Sequence, residues 1–241
     1  MNKLVWRFFG REEGVTGMTE DGVAAAMELD QYFVGLIQSR RKSPSDEPSV
    51  LSRLLEAEVD GERLPDEAIA SHLSLLIIGG AETFPKVFAS AIYRLHQHPD
   101  QRAKCAADPS LIPEAFNETL RYDMPTQFLA RLVVEEVGIR GKKLKPGQPV
   151  LFLYPSANRD EEEFEDPDSF NIERRPARIL SFGHGIHACL GAHFARMEGK
   201  LCLEAALSNM PDYVVHEDRT ERFRTEFVQG FAKLPISFKP F

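Results

Sequence analysis

The longest apolar helical pattern in the chain occupies residues 65–100, and it limits the fold more than any other segment. The pattern starts with Pro65 and two acidic residues, which are favoured in the first turn of a helix. Roughly thirty helical residues would span about 50 Å at about 1.5 Å per residue. Because the middle of the segment is apolar on most faces, such a helix is expected to cross the core. The sequence therefore predicts a mainly α fold around one long central helix.

Shorter helical patterns lie on both sides of the long one. Apolar residues recur at helical spacing over residues 22–42, which end in a basic cluster suited to the negative end of a helix dipole. Residues 49–57 and 110–122 predict two further short helices. Another helix is expected after Cys189, where apolar residues form one helical stripe. The stripe consists of Leu190, Phe194, Met197, Leu201 and Ala205.

The hydrophobic period changes after residue 122, and a minor β part follows. Residues 128–154 carry β-branched and alternating residues, divided by Gly141 and by the turn sequence KPGQP, which is typical of hairpin strands. Residues 156–180 form a long irregular stretch, and the tail from about residue 213 alternates weakly, as short strands do. Since no repeat and no obvious linker interrupts the chain, residues 1–241 are predicted to form a single domain.

Charge and cysteine content exclude several classes of protein. A net charge of −8 lacks the basic footprint of a nucleic-acid-binding protein, so no nucleic-acid partner is expected. An odd set of three widely spaced cysteines fits a reducing compartment better than a disulfide scaffold. The apolar patch within residues 1–10 is too short for a signal peptide or a membrane span. These features predict a cytoplasmic protein with no membrane attachment.

One of the three cysteines lies in a segment crowded with glycine and histidine, FGHGIHACLG at residues 182–191. Cys189 stands where this loop runs into a predicted helix, and a helix N-terminus favours a thiolate that can act as a nucleophile or bind a metal. Gly183 and Gly185 permit a tight loop, and Gly191 lets a flat group approach the backbone.

Four interpretations of this loop are open on its residues alone. Cys189 could be a buried cysteine beside a turn, or a nucleophile with a histidine base. It could belong to a zinc site with nearby histidines, or it could be the one axial thiolate of a haem iron. The zinc ligands would come from His184, His187, Cys189 and His193.

The loop matches one known pattern residue for residue, Phe-x-x-Gly-x-His-x-Cys-x-Gly. The matching residues are Phe182, Gly185, His187, Cys189 and Gly191. This segment resembles the haem-binding signature of the cytochrome P-450 family of haem-thiolate monooxygenases. The resemblance implies that Cys189 is the axial ligand of the iron of haem b (iron protoporphyrin IX), with Phe182 packed beside the sulfur. It also implies that Gly183, His187 and Gly191 contact the cofactor.

A glycine pair in the long helix, within GGAET at residues 79–83, departs from helix preferences, because each glycine costs about 1 kcal/mol relative to alanine. Pro85 removes a further helical hydrogen bond. Close helix packing would explain the pair, and so would a cofactor face that approaches the backbone. The segment resembles the family's Ala/Gly-Gly-x-Asp/Glu-Thr motif. That likeness implies that Gly80 borders the haem and that Glu82 and Thr83 relay protons to dioxygen.

Further charged residues resemble the family's structural and propionate-binding positions. Glu118 and Arg121 are three apart, which by itself favours a surface ion pair worth roughly a few tenths of a kcal/mol. The resemblance adds Arg174 as a third partner, so that one carboxylate shared by two arginines ties the irregular stretch to the helix. It also makes Arg131 a ligand of a haem propionate, and it likens residues 227–235 to a turn that reaches into the substrate pocket.

The resemblance runs from about residue 22 to the end of the chain and covers the C-terminal portion of the family's fold. It implies a soluble, bacterial-type monooxygenase that inserts one atom of O2 into a small apolar substrate. A ferredoxin or similar donor would supply the electrons. Lys104, Arg196 and Lys200 would offer it positive charge on the cysteine side.

The family's N-terminal helices and first sheet strands have no counterpart in this sequence. One side of the long helix and one edge of the haem are therefore expected to be exposed, and a large apolar patch on a monomer marks an interface. Three consequences are open at this stage: weak haem binding, a homodimer that covers the patch, or a truncated product whose missing half lies elsewhere. The alternative to a monooxygenase is a truncated haem-binding protein without turnover.

Overall fold

The computed structural model describes residues 1–11 and 17–239. Two compact units divide the chain, Met1–Glu82 and Thr83–Phe241, and the boundary between them falls inside the long helix. Each unit has a hydrophobic core of its own. The single haem-binding domain expected over residues 1–241 stays a prediction.

Helices dominate the regular structure of the described residues. The longest, α4, has 32 residues and confirms the long helix predicted from residues 65–100. It ends at Gln97 because Pro99 follows. The residue before a proline is pushed out of the α region, and His98 has φ −122° and ψ 72°. The helices are α1 (Asn2–Phe8), α2 (Glu20–Lys42), α3 (Val50–Glu56), α4 (Asp66–Gln97), α5 (Pro99–Ala107), α6 (Ile112–Tyr122), α7 (Tyr154–Ala157) and α8 (Ala192–Asn209).

Short strands pair antiparallel as five two-stranded sheets within the described residues. The strands are β1 (Glu58–Val59), β2 (Glu62–Arg63), β3 (Leu129–Leu132), β4 (Val137–Ile139), β5 (Lys142–Leu144), β6 (Pro149–Phe152), β7 (Val214–Val215), β8 (Glu221–Arg224), β9 (Gln229–Lys233) and β10 (Ile236–Ser237). β3 pairs with β6, and β4 pairs with β5. The β4–β5 turn has positive φ at Arg140 (44°) and Gly141 (76°), which suits a two-residue hairpin. A mainly α fold with small hairpins is confirmed.

The core of residues 1–82 forms between α2, α3 and the first half of α4. α2 begins behind Thr19, whose hydroxyl oxygen accepts a hydrogen bond from the Gly22 amide at 3.0 Å. The helix ends in the predicted basic cluster, from which Arg41 pairs with Asp66 at 2.8 Å. Its buried face carries apolar residues at helical spacing, namely Leu29, Phe33 and Ile37.

The core of residues 83–241 joins the second half of α4 to α5, α6 and α8. Its fully buried side chains include Leu95, Cys105, Phe116, Leu203 and Tyr213. The Tyr213 hydroxyl donates to the carbonyl of Ile92 at 2.7 Å, and Arg102 donates to the carbonyl of Tyr213 at 2.7 Å. These two bonds fix the start of the tail, at β7, to α4 and α5.

At Gly199, α8 lies directly against the Phe116 ring of α6. A Cβ added at Gly199 would lie 2.5 Å from two ring carbons and 2.6 Å from a third. Gly199→Ala is therefore expected to lower the free energy of unfolding by about 1–3 kcal/mol, because the buried ring has to move. Urea unfolding followed by circular dichroism measures the change. Adding Phe116→Leu should recover part of it, and a Gly199→Ala variant as stable as the wild type would contradict this packing.

Burial raises the pKa of the Cys105 thiol to about 11, and the nearby charge of Asp108 adds to the rise. The folded-state pKa thus lies above that of the unfolded chain. The stability that Cys105 contributes is complete below about pH 9 and is lost as the pH rises towards 11, because the unfolded thiol ionises first.

Between about pH 8.5 and 10.5, the wild type is expected to lose about 2 kcal/mol of unfolding free energy through this thiol. Urea unfolding across this range measures the loss, and Cys105→Ala should lack it. Tyr213, whose pKa is raised mainly by burial and slightly by Cys105, adds to the pH dependence of both proteins, so the difference between the two proteins measures the thiol. Equal losses in the two proteins would show that Cys105 is not the cause.

The helix expected after Cys189 forms as α8, but its apolar stripe faces outward. Apolar stripes normally mark the buried face of a helix. Here Leu190 is 84% exposed and Phe194 is 61% exposed. Met197 and Leu201 are exposed as well. The face that α8 buries instead carries Gly199, Leu203, Ala206 and Leu207.

The described residues do not enclose the middle of α4. The prediction that this helix is buried through the core is wrong for the described part of the chain, and the prediction that one of its sides is exposed is confirmed. Leu75 is 67% exposed, and Leu76, Gly79 and Gly80 are exposed too. Apolar character on most faces predicted burial, but the residues described here leave one side of the helix uncovered.

Among the described residues, α4 is the one helix long and apolar enough to cross a membrane by length and composition. The core helix of a soluble protein meets the same criterion. The absence of membrane attachment and the cytoplasmic location therefore stay predictions.

Candidate functional site

The cysteine loop folds back on itself through backbone hydrogen bonds. The Cys189 amide donates to the carbonyl of Phe182 at 2.7 Å, and the Gly183 amide donates to the carbonyl of Leu180 at 2.9 Å. Gly183 and Gly185 have φ of 67° and 70°, a region that glycine adopts without steric cost. The glycines therefore make the tight turn that brings Cys189 beside Phe182.

Cys189 is exposed and lies between a 3₁₀ turn, Gly185–His187, and the start of α8, whose N-cap is Gly191. A Cβ added at Gly185 or Gly191 would meet no atom of the described residues within 4 Å. Cys189 thus stands on an open face with glycine backbone on both sides. The interpretation as a buried cysteine beside a turn is wrong.

Glu118 is the centre of a buried charge network on α6. The guanidinium of Arg121 binds both carboxylate oxygens, Nε to Oε2 at 2.7 Å and Nη2 to Oε1 at 2.8 Å. Arg174 Nε reaches Oε1 at 3.3 Å, and the Asn171 amide donates to the same oxygen at 2.9 Å. The side chains of Glu118 and Arg121 are 2% and 0% exposed. Glu118 and Arg121 therefore form a buried ion pair, and the surface ion pair that their spacing alone favours is wrong.

The two arginines also bind the irregular stretch. Arg121 donates to three carbonyl oxygens, those of Asn158, Pro167 and Ser169, at 2.8–3.0 Å. Arg174 donates to the carbonyls of Glu165, Asp166 and Ser169. The network therefore fastens residues 158–174, which have little regular structure, to α6.

The GGAET segment lies within α4, and the helix continues through Pro85. A Cβ added at Gly79 or Gly80 would meet no described atom within 4 Å. Close packing of another described helix therefore does not account for the glycine pair. Glu82 is buried and Thr83 is half-buried.

The loop, the charge network and the helical fold have their counterparts in known proteins. A sequence profile of the cytochrome P-450 family matches residues 15–239. The chain belongs to the cytochrome P-450 family. Its relatives include the putative cytochrome P-450 123 of Mycobacterium tuberculosis, 42% identical over 228 residues, which are 94% of this chain and 56% of the relative. The biotin biosynthesis cytochrome P-450 of Bacillus subtilis is 37% identical over 223 residues, 92% of this chain and 55% of the relative.

Solved P-450 structures share the fold. Substrate-free CYP109E1 of Bacillus megaterium superposes with a TM-score of 0.90 at 32% identity, covering 100% of this chain and 63% of that one. P450BioI in complex with a hexadecenoic acid-ligated acyl carrier protein gives a TM-score of 0.88 at 32% identity, covering 99% and 61%. The chain thus spans little more than half the length of the P-450 proteins it matches.

The P-450 signature residue Phe182 is held from two sides. Its ring packs against the core of residues 83–241, and the Arg196 guanidinium lies 4.5 Å from the ring centroid. Arg196 also donates from Nε to Asn117 Oδ1 at 3.3 Å, which connects α8 to α6. The phenylalanine therefore anchors the beginning of the cysteine loop.

The histidines of the P-450 loop do not form a metal centre with Cys189 in the described structure. No group of three His, Cys, Asp or Glu side chains in residues 1–11 and 17–239 is arranged to hold a metal ion. The zinc interpretation of His184, His187 and His193 therefore has no support. His187 is exposed in the 3₁₀ turn before Cys189.

Arg131 lies on β3, and its side chain is exposed. Nη1 donates to the carbonyl of its neighbour Ala130 at 2.8 Å, so this hydrogen bond stays within the strand. The described contacts do not bring Arg131 to the cysteine loop, and its role as a propionate ligand stays a prediction.

Asn158 is a structural residue that sequence analysis missed. The side chain is fully buried, accepts from the Leu180 amide at 2.8 Å and donates to the Ser181 hydroxyl at 2.9 Å. Ser181 in turn donates to the carbonyl of Leu120 at 2.8 Å. The two side chains tie the entrance of the cysteine loop to α6. No spacing in the sequence signals this contact, because the partners lie far apart along the chain.

Proposed function

We propose that this protein is a haem-thiolate monooxygenase that inserts one atom of O2 into a small apolar substrate. Cys189 is the observation that carries the proposal. It is an exposed cysteine in a glycine loop at the start of α8, in a chain of the P-450 family. A thiolate at this position can bind iron as a single axial ligand.

The residues around Cys189 fit a haem group. The open space at Gly185 and Gly191 accommodates a flat ring next to the backbone. His187, exposed two residues before the cysteine, can donate to a propionate. When bound, haem b supplies the iron at which dioxygen is activated, and a thiolate ligand favours cleavage of the O–O bond.

The chain's own residues hold and shield this cofactor in the proposal. Cys189 binds as an anion, and Phe182, fixed by Arg196, excludes water from the sulfur. Gly183 supplies the positive φ that turns the loop. Arg131, on the exposed side of β3, offers a second cation for the propionates.

Glu82 and Thr83 are assigned to proton delivery. On α4, Glu82 is buried and Thr83 is half-buried. Because consecutive side chains on a helix do not face each other, the carboxyl and the hydroxyl pass the proton through hydrogen-bonded water in this proposal. Gly80, with open space in place of a side chain, lets a ligand approach the helix backbone.

The family likeness supports an apolar substrate and a protein electron donor. A structure of CYP109E1 contains testosterone, and P450BioI is bound to a hexadecenoic acyl group, both largely apolar. A ferredoxin or similar donor would provide the electrons. Of the cations expected to attract it, Lys104 is paired with Glu173 at 2.5 Å and Lys200 with Glu204 at 2.7 Å. Arg196 is therefore the stronger candidate.

A second candidate function is haem binding without monooxygenase turnover. The exposed stripe on α8 supports this candidate, and it also supports a homodimer in which two copies cover the stripe.

Haem titration of the purified chain tests the proposal. A Soret band that saturates at one haem per chain is expected, together with a thiolate-type spectrum of the reduced carbon monoxide complex. A surrogate peroxide with an apolar substrate then separates the two candidates, since oxidised product identifies a monooxygenase. Failure to bind stoichiometric haem would overturn both candidates.

A further inference from the structure

Lys86 is a buried lysine on α4, three residues after Thr83. Its exposure is 4%, although lysine is among the residues least often buried. Its ammonium lies 4.3 Å from the centroid of the Phe223 ring, a cation–π contact with strand β8. Burying an ammonium group is costly, and the cation–π contact with Phe223 offsets part of that cost.

The stem of Lys86 lies across Gly230 in strand β9. A Cβ added at Gly230 would lie 2.7 Å from both Cβ and Cγ of Lys86 and 2.9 Å from Cδ. Gly230 and Phe223 are cross-strand partners in the β8–β9 hairpin. One lysine therefore contacts both members of a cross-strand pair, and the glycine makes room for it.

The turn of this hairpin is also held by backbone hydrogen bonds to residues 125–127. The Gln127 amide donates to the carbonyl of Phe227 at 2.8 Å, and the Gln229 amide donates to the carbonyl of Pro125 at 2.9 Å. Within the turn, the Val228 amide donates to the Thr225 hydroxyl at 2.8 Å. The turn at residues 225–228 thus has a fixed shape. Lys86 is one connection of the hairpin to α4, beside the contact between the rings of Tyr93 and Phe231, whose centroids are 5.0 Å apart.

We propose that Lys86 is a positioning residue that holds hairpin β8–β9 against α4 and thereby determines which substrates the protein accepts. The inference rests on the proposed function, because residues 227–235 carry the likeness to a pocket turn. A shift of the hairpin would move that turn relative to Thr83. Small ligands would tolerate the shift, whereas bulky ligands would meet the displaced turn.

The test compares four variants. Gly230→Ala pushes the hairpin off the lysine and also strains the backbone, because Gly230 has a φ of 158°. Lys86→Met removes the ammonium but keeps most of the stem. The double variant Lys86→Gly/Gly230→Ala removes all three carbons that the new Cβ would meet. Lys143→Met is the control, since Lys143 is an exposed lysine in a different hairpin, paired with Glu136 at 3.2 Å.

Hydrogen–deuterium exchange of peptides covering residues 221–233 is the first measurement, and it needs no cofactor. Gly230→Ala is expected to accelerate exchange there by about tenfold, while α6 and α8 keep the wild-type rates. In the double variant, exchange of residues 221–233 should be roughly threefold or more slower than in Gly230→Ala. Lys143→Met should exchange at the wild-type rate. Unchanged exchange in Gly230→Ala, or no recovery in the double variant, would overturn the positioning role.

Azole binding to the haem-loaded protein is the second measurement. Clotrimazole, which is bulky, is expected to bind about tenfold more weakly to Gly230→Ala and to Lys86→Met, and imidazole to bind within about twofold of the wild type. Equal losses of affinity for clotrimazole and imidazole would overturn the proposed effect on selectivity. If the chain binds no haem, the proposed function and the selectivity effect fail together, and the exchange result still decides the positioning role.

Discussion

Replacing Cys189 with serine is expected to abolish the thiolate-type spectrum of the reduced carbon monoxide complex. A serine hydroxyl stays protonated near neutral pH and cannot replace a thiolate as an anionic iron ligand. The loop should keep its shape, because the bond from the Cys189 amide to the Phe182 carbonyl uses backbone atoms alone. Visible absorption spectra of the haem-loaded variant, with and without carbon monoxide, measure the result.

The control for this experiment is Cys202→Ser. Cys202 lies on α8 and is half-buried, so the substitution makes the same chemical change on the neighbouring helix. Its carbon monoxide spectrum should equal that of the wild type. A thiolate-type spectrum that survives in Cys189→Ser and disappears in Cys202→Ser would move the ligand assignment to Cys202.

Replacing Glu118 with alanine is expected to lower the free energy of unfolding by about 3–5 kcal/mol. The substitution leaves the guanidinium of Arg121 fully buried without its carboxylate, and it also removes the partner of Arg174. Carbonyl oxygens would still surround Arg121, but they carry no net charge to balance it. Urea unfolding followed by circular dichroism, with a constant denaturant slope, measures the loss.

Glu204→Ala provides the matched control, because Glu204 also forms a helical ion pair, with Lys200 at 2.7 Å, but on the surface. Surface pairs contribute about 0–1 kcal/mol. The contrast between the two variants isolates the effect of burial. If both variants lost the same small amount, the Glu118 network would not be a structural centre of the fold.

Local patterns in the sequence were sufficient to predict the helices, the hairpin strands and the cysteine loop. α2, α3, α4 and α6 each begin and end within a few residues of their predicted bounds. Helix periodicity, caps and proline signals involve residues close together in the chain, so they can be recognised without knowing the fold. The spacing of Phe182, Gly185 and Cys189 has the same local character, since one loop contains them all.

Long-range partners escaped sequence analysis. Asn158 bonds to Leu180 and Ser181, and Lys86 contacts Gly230, yet nothing in either neighbourhood indicates these pairs. The place of Arg174 beside Glu118, 56 residues away, was expected through the family likeness alone. Hydrogen bonds and packing contacts of this kind depend on how elements meet, which periodicity does not encode.

The helices, the hairpins and a cysteine loop of P-450 type could be predicted from the sequence, because each of these depends on neighbouring residues. The buried faces of α6 and α8 could be recognised from the packed fold alone. The stripe of Leu190 and Phe194 faces outward, and Glu118 with Arg121 lies inside, the reverse of what hydrophobicity and charge favour. Burial depends on whether another part of the protein packs against a side chain. An apolar side chain that nothing covers stays exposed, and a charged side chain can be buried when a countercharge is buried beside it.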